Sequence, residues 1–305
     1  MRKGILLALL ALPILICGSA SAAIVHVYPG DDLEAAVEGA NSGDTVMAWH
    51  GTWTGPFPSS DQTITVPGGV TVNGTGTSTI IDGQFRLPNA DSTVANWTVD
   101  DSGASAPTRG LVLAGGGNPT VANNLLIGPG KDITGTRAFV SNGQTDGITY
   151  IGNEATGWHS GFYMNSPNNF LIEGNYLHDN YVGGSNDDPD VGTYVGNTIE
   201  RNGRNSAFGE GFGIGGRTTP AHALSITAQN NNFISQGGTE PTADPGWQDI
   251  GAYGDTSGNN FDFSNSYWGT ESPVAPDISP DSTPAVQTAS PKAAPGVYTT
   301  NSSPL

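Results

Sequence analysis

Asp187, Asp188 and Asp190 crowd into the stretch GGSNDDPDVG, Gly183 to Gly192. Carboxylates this close offer the hard oxygen ligands that calcium prefers. They also raise one another's pKa, and a pair with separated pKa values can serve as the acid and base of glycoside hydrolysis. Alignment on the internal repeats puts Asp187, Asp188 and Asp190 in the places of Asn165, Ser166 and Asn168 at one turn, and Gly215, Gly216 and Arg217 take those places in the next unit. Arg217 then shares their edge, and Glu210 stands a strand's length away. The candidate catalytic residues are therefore Asp187, Asp188, Asp190, Glu210 and Arg217; the candidate calcium ligands are Asp187, Asp188 and Asp190. The competing reading is a solvated acidic turn, because clustered charges ordinarily face water.

Other residue types carry weaker signals. His178 beside Asp179 has the pairing of a general base or a metal ligand, but no second histidine stands at metal-binding spacing, so a surface or turn histidine is the simpler reading. His159, in TGWHSG, falls in a different repeat column and need not meet it. Arg201, Arg204 and Arg217 fall near the aspartates. Trp158, Trp247, Phe208 and Tyr181 are candidates for stacking on a sugar's apolar face, with ordinary loop packing as the alternative.

The elements that must position these groups repeat. An asparagine follows an apolar pair and precedes an alternating apolar residue at Asn124, Asn153, Asn175, Asn197, Asn231 and Asn265, with spacings of 29, 22, 22, 34 and 34 residues. A unit of about 22 residues with insertions is the signature of a stacked repeat. A second phrase recurs ahead of these asparagines: GLVLAG from Gly110, RAFVSN from Arg137, GFYMNS from Gly161, GFGIGG from Gly211 and IGAYGD from Ile250. Each alternates like a half-buried strand. No window shows the helical period with helix-forming residues, so helical repeats are excluded. Strands repeated at one spacing imply parallel stacking of seven to nine coils. Asparagine suits the turns, because it tolerates left-handed backbone and its amide can hydrogen-bond along a ladder of equivalents. Near the start, Asp31 and Asp32 cap a short helix with Leu33, Ala36, Val37 and Ala40 on one face, which would close the open end of the stack.

Composition bounds the setting. The chain has 305 residues, 44 Gly, 36% hydrophobic and only 12% charged residues, with a net charge of −18. Residues 1–22 carry a basic start at Arg2 and Lys3, the apolar run GILLALLALPILIC and the small-residue site Ala20-Ser21-Ala22, so they read as a signal peptide cut after Ala22. Cleavage removes the single cysteine, Cys17, and two cations; 10 − 2 leaves 8 Lys+Arg against 28 Asp+Glu. Such a surface repels nucleic acid and anionic lipid and disfavours long acidic polysaccharides unless cations bridge. No other stretch is apolar enough for membrane insertion. Residues 273–305, rich in Pro, Ser and Thr, read as a polar tail after a single domain at 23–272; Ile278 and Val286 could dock its first part.

The opening PGDDLEAAVEGANSGDTV and GTW, the repeated Gly-Asn phrases and the late NSYWGTESP resemble the right-handed parallel β-helix, or pectin-lyase-like, superfamily of exported proteins, over roughly Ile24 to Pro273. The resemblance implies an all-β solenoid, single-stranded and right-handed, with an N-terminal capping helix. It also implies a choice of activities, since the superfamily holds lyases, hydrolases, epimerases, tailspikes and non-catalytic envelope proteins. Its polysaccharide lyases use Lys or Arg as the base and often Ca²⁺ to neutralise the uronate, which suits proton abstraction beside a carboxylate. Beyond the signal segment the only lysines are Lys131 and Lys292, and the hydrolase pattern of paired Asp with Gly-His-Gly and Arg-x-Lys is missing. The first functional expectation is therefore a cell-surface or envelope protein in assembly or glycan contact, with self-association through strand edges or a surface glycan as partner. The second is a polysaccharide-active enzyme using the acidic groove.

Overall fold

The computed structural model describes residues 21–54, 63–88, 91–104, 108–113, 117–141, 146–187, 191–202, 210–215, 225–234, 248–253, 260–262, 266 and 285–287. Its strands pair parallel in three sheets of eleven, eight and eight strands, named A, B and C here. A coil passes through A, then B, then C. One coil holds β14 (Thr149–Ile151), β15 (Glu154–Thr156) and β16 (Ser160–Asn165). The next holds β17 (Phe170–Glu173), β18 (Tyr176–His178) and β19 (Val182–Asp187), and the one after it β20 (Val191–Val195), β21 (Thr198–Glu200) and β22 (Glu210–Gly215). Parallel strands joined by crossovers wind right-handed, and the chain is a right-handed parallel β-helix.

Alternation decides which side chains enter the stack. In sheet B, Trp53, Ile81, Val99, Leu126, Ala155, Leu177 and Ile199 form one in-register column, and all are buried. Between the sheets, the rings of Phe139, Tyr150 and Phe162 lie 5.0–5.2 Å apart. Each large apolar side chain so buried contributes roughly 1.5–3 kcal/mol. On the outside of sheet A, Thr45, Thr71, Thr93, Thr120 and Thr149 stand in one column, where β-branched residues suit a half-buried pleat.

The corner from A to B is set by asparagine. Asn124, Asn153, Asn175, Asn197 and Asn231 are buried. Each side-chain oxygen receives donors from the coil before: Asn175 Oδ1 accepts the Asn153 backbone N–H at 2.9 Å and its side-chain amide at 3.0 Å. Two expectations are corrected. The left-handed residue is not the ladder asparagine but the one before it: Asn96, Asn123, Gly152, Gly174, Gly196 and Asn230 have φ of 56–66°. That division of labour frees the ladder residue to aim its amide along the stack. The sixth rung is not Asn265, which lies outside the described residues, but Ser266, whose Oγ accepts Asn231 N–H at 3.3 Å and donates to the Ala228 carbonyl at 3.0 Å. The hydroxyl reproduces one acceptor contact and one donor contact of the amide rung.

Helix α1 (Leu33–Glu38) caps the first coil. The Asp32 carboxylate accepts Ala35 N–H at 2.9 Å, satisfying one free donor of the first turn. Leu33 and Val37 enter the core and Ala36 and Ala40 pack against it. Strand β1 (Ile24–Val27) is terminal in sheet A; among the described residues it pairs with β2 (Thr45–Ala48) alone, and Ile24 and Tyr28 beside it are exposed. At the far end β27 (Ala285–Gln287) pairs with β26 (Asn260–Asp262), Val286 opposite Phe261. No described helix is long and apolar enough to cross a membrane; residues 1–20 lie outside the described residues.

Candidate functional site at the corner between sheets B and C

The B–C corner reuses the A–B design. Gly157, Asp179 and Arg201 hold the left-handed position, with φ of 75°, 54° and 50°. Trp158, Asn180 and Asn202 follow them, all fully buried. Asn180 Oδ1 accepts Trp158 N–H at 2.9 Å, and Asn202 Oδ1 accepts Asn180 N–H at 3.0 Å. Trp158 is thus a core residue rather than a sugar platform, its indole N–H donating to the Leu126 carbonyl at 3.1 Å. Glycine tolerates left-handed backbone freely and aspartate fairly well; arginine there costs about 1–2 kcal/mol. A strained residue on a repeated turn calls for an explanation from its side chain.

That side chain closes a network. Arg201 Nε and Nη2 donate to Asp179 Oδ1 and Oδ2 at 3.1 and 2.8 Å, a bidentate pair, and Nη1 donates to Glu200. The other Glu200 oxygen accepts the Tyr176 hydroxyl at 2.6 Å. The His178 ring bridges Asp179 Oδ2 at 2.7 Å and Glu154 Oε1 at 3.1 Å, and Tyr176 stacks on it at 4.2 Å. Hydrogen bonds from Arg201 hold the Asp179 carboxyl below its usual range. Burial pulls His178 down, but its bonds to Glu154 and then Asp179 outweigh it, so the imidazolium persists to higher pH than in a free side chain. Burial, then the bond to Glu200, push the Tyr176 phenol up to about 12. Both ring nitrogens of His178 and the Tyr176 hydroxyl are engaged with carboxylates. The corner is a fixed pattern of charge.

Next to it, along the first residues of the sheet C strands, runs a strip of cations and rings. Arg109, opening β10 (Arg109–Leu113), stands in register with Arg137, opening β13 (Arg137–Ser141). Arg137 and Ser160 are the next pair. Like charges opposite one another repel; the Arg137 guanidinium lies over the Tyr163 ring, 3.5 Å from its centroid, a favourable cation–π contact. One residue nearer the corner, His159 N–H donates to Thr136 Oγ1 at 3.0 Å and the His159 ring stacks on Tyr181 at 4.6 Å. With coils about 4.8 Å apart, Arg109 to Tyr181 spans roughly 14 Å along the stack. Arg86, on β7 (Gln84–Leu87), is exposed on the same sheet.

Asp187 lies at the other rim of sheet C. Asp187 ends β19 in register with Asn165 and Gly215, the columns the repeat alignment uses, although here it closes a strand rather than forming a turn. Glu210 opens β22 opposite Gln248. Glu210 and Gly215 are five positions apart, about 16 Å of strand, so Asp187 and Glu210 occupy opposite rims. Asp188, Asp190 and Arg217 lie outside the described residues, as do Arg204, Phe208 and Trp247. Among the described residues no group of His, Asp and Glu converges to hold a metal ion. Arg201 is not beside Asp187: its turn leads into sheet C, whereas Asp187 leads out of it. His178 and His159 occupy different columns, His178 opposite Thr156 and Glu200.

Glu154, Tyr176, Glu200 and the Asp179–Arg201 pair were not singled out from the sequence. The available signal was the second asparagine of the repeated phrase, Asn180 and Asn202, 22 residues apart. The residues just before them, Asp179 and Arg201, are opposite charges at that same offset.

No family model matches the chain and no curated protein matches it. Among solved structures it is similar to pectate lyase Pel9A, at a TM-score of 0.52 and 12% identity over 91% of this chain and 80% of that one. It is also aligned with the A-module of Azotobacter vinelandii mannuronan C-5 epimerase AlgE6 (TM-score 0.34, 14% identity, 83% of each chain). A PL6 family alginate lyase, AlyGC, gives a TM-score of 0.33 at 12% identity over 88% of this chain and 53% of that one. At these identities the likeness to Pel9A bears on the fold, the right-handed parallel β-helix, and not on an activity.

Proposed function

We propose that the protein is an exported β-helix that holds an acidic polysaccharide along the rim where sheet B passes into sheet C. The observation that carries this reading is the in-register pair Arg109 and Arg137, the second seated on Tyr163, in a chain with only ten cationic residues against 28 acidic ones. Guanidinium groups one coil apart present a repeating receptor for sugar carboxylates, and the His159–Tyr181 stack continues the strip with flat apolar surface. The strip supplies locally the cations that an acidic envelope otherwise lacks. Binding rather than cleavage is supported by the corner network, whose histidine and phenol are committed to carboxylates.

The test is affinity electrophoresis through gels holding polygalacturonate, alginate or neutral glucomannan. Retardation by an acidic glycan is expected, weakened about tenfold when Arg109→Ala and Arg137→Ala are combined. Equal retardation of parent and double variant, or retardation by the neutral glycan alone, sinks the proposal. A second reading places a cleaving site at the opposite rim, favoured by Asp187 standing in the column of Asn165 and Gly215. That site would comprise Asp187, Asp188, Asp190 and Arg217, with calcium on the three aspartates; Glu210, at the start of β22, stands about 16 Å away along the strand and drops out of it. Release of unsaturated or reducing ends that Asp188→Ala abolishes, with the fold intact, would establish it.

A further inference from the structure

The start of the first coil contains a receptor for a chain end. Ala23 immediately precedes β1. Its carbonyl accepts Thr45 N–H at 2.8 Å, and its own N–H donates to Asp44 Oδ1 at 2.8 Å. The other oxygen of Asp44 accepts the Asn41 backbone N–H at 2.8 Å and its side-chain amide at 3.5 Å. Asp44 is 8% exposed. Among the described residues no basic side chain forms an ion pair with it. Neutral donors stabilise the carboxylate without cancelling its charge, so a cation can still join it. These contacts, Ala23 N–H first and Asn41 N–H second, hold the Asp44 carboxyl below its usual range, so it is ionised and ready for a cation.

A cation for this carboxylate is encoded one bond away. Ala20-Ser21-Ala22 is a small-residue cleavage pattern behind an apolar run. Ala22 and Ala23 are exposed and belong to no strand or helix, so the bond between them is reachable. We infer that Ala22–Ala23 is a processing site and that Asp44 is the binding site for the α-ammonium group that cleavage creates. Water adds across the amide and the C–N bond breaks. Ala22 leaves as a carboxylate; the Ala23 nitrogen keeps its electron pair and gains protons to become an ammonium; nothing is oxidised. The nitrogen need not move. A neutral N–H···O contact becomes a charge-assisted hydrogen bond at the same atoms, and such bonds are about twice as strong as neutral ones. A chain beginning at Ala23 keeps every rung of β1 on β2, from Ile24 opposite Thr45 to Val27 opposite Ala48. Cleavage one residue earlier or later would displace the ammonium from Asp44. The fold thus gains stability from one cut and not from its neighbours, independently of any glycan.

The experiment has two parts. Intact-mass analysis and N-terminal sequencing of the protein collected from an exporting host should give Ala23 as the first residue. That chain is then melted with its amine free and with its amine acetylated, in the parent and in Asp44→Asn. Acetylation restores the neutral amide of the uncut chain while keeping its N–H. It should lower the parent's melting temperature by about 2 °C and leave that of Asp44→Asn unchanged. If Asp44→Asn does not fold, the parent comparison still decides. A first residue other than Ala23, equal melting temperatures for the two parent forms, or an undiminished shift in Asp44→Asn overturns the inference.

Discussion

The A–B and B–C corners share one turn: a left-handed residue, then a buried side chain that reaches along the stack. They differ in what fills the left-handed position. At A–B it holds glycine or asparagine, Gly152, Gly174 and Gly196 among them; at B–C it holds Gly157, then Asp179, then Arg201. The first set is explained by backbone preference alone. The second accepts strain to hold opposite charges on neighbouring coils, where they pair. The ladder fixes the shape of a coil, and the residue before it is the place where a coil acquires an exposed identity.

If the two ladders are equivalent, breaking either should be the most damaging change available. Asn175 donates to the Tyr150 and Glu173 carbonyls and to Asn197 Oδ1, and accepts from Asn153. Asn175→Ala leaves several buried groups without partners at roughly 1–3 kcal/mol each, an expected loss of about 5 kcal/mol in urea denaturation. Asn180, with bonds to Trp158, Ala155 and Asn202, should lose a comparable amount as Asn180→Ala. A loss under about 1 kcal/mol there, below the cost of a single unsatisfied group, would show that only the A–B ladder supports the stack.

The corners should also part company with pH. Asp101 follows β9 (Thr98–Asp100) where the chain leaves sheet B; its backbone N–H donates to the Ile127 carbonyl and its carboxylate accepts the Thr108 hydroxyl at 2.9 Å. Burial pushes its pKa up to about 7, the Thr108 bond opposing. The folded state therefore binds a proton that the unfolded chain has released, and stability falls as pH rises from about 4 to 7. The ceiling is about 4 kcal/mol, at 1.36 kcal/mol per unit. His178, also raised, adds a decline that starts above its unfolded value near 6.5. Melting curves from pH 4 to 8 should slope downward in the parent and flatten over pH 4–7 in Asp101→Asn. An unchanged slope would remove Asp101 as the cause.

What was legible beforehand follows the same division. Asn175 and Asn197 were readable because burial and a one-coil repeat force the same residue to recur at a fixed offset. Where a hydroxyl does the work of an amide, at Ser266, the pattern pointed one residue away, to Asn265. Asp179 and Arg201 recur at that offset too, but their meeting depends on the left-handed turn, which aims both side chains outward at one corner; residue type alone does not carry that direction. Arg109 and Arg137 sit 28 residues apart, and the longer connection between their coils hid a register that the backbone makes direct. The acidic stretch drew attention by composition, and backbone register reaches only its first member, Asp187.

A smaller effect isolates the strain. At Gly174, φ is 61° and an added Cβ would meet nothing within 4 Å, so Gly174→Ala tests left-handed backbone without a clash. It should cost about 1 kcal/mol. Gly152 is the contrast: its Cβ would stand 2.6 Å from Asn123 Oδ1, and Gly152→Ala should cost more.

The smallest expected effect is the most informative about the B–C corner. Arg201→Gly relieves about 1 kcal/mol of left-handed strain and removes a part-exposed ion pair whose net contribution is about 0.2–1 kcal/mol. The two nearly cancel, so its unfolding midpoint should match the parent. Arg201→Ala keeps the strain and loses the pair, and should fall below the parent by about 0.5–1 kcal/mol. If Arg201→Gly is instead markedly destabilised, the network through Asp179, Glu200 and Tyr176 is structural, and the strain is simply offset within the fold. If the midpoints agree, arginine at that position gives the fold nothing that glycine would not. Its presence then has to be explained by what the charged corner meets outside the chain.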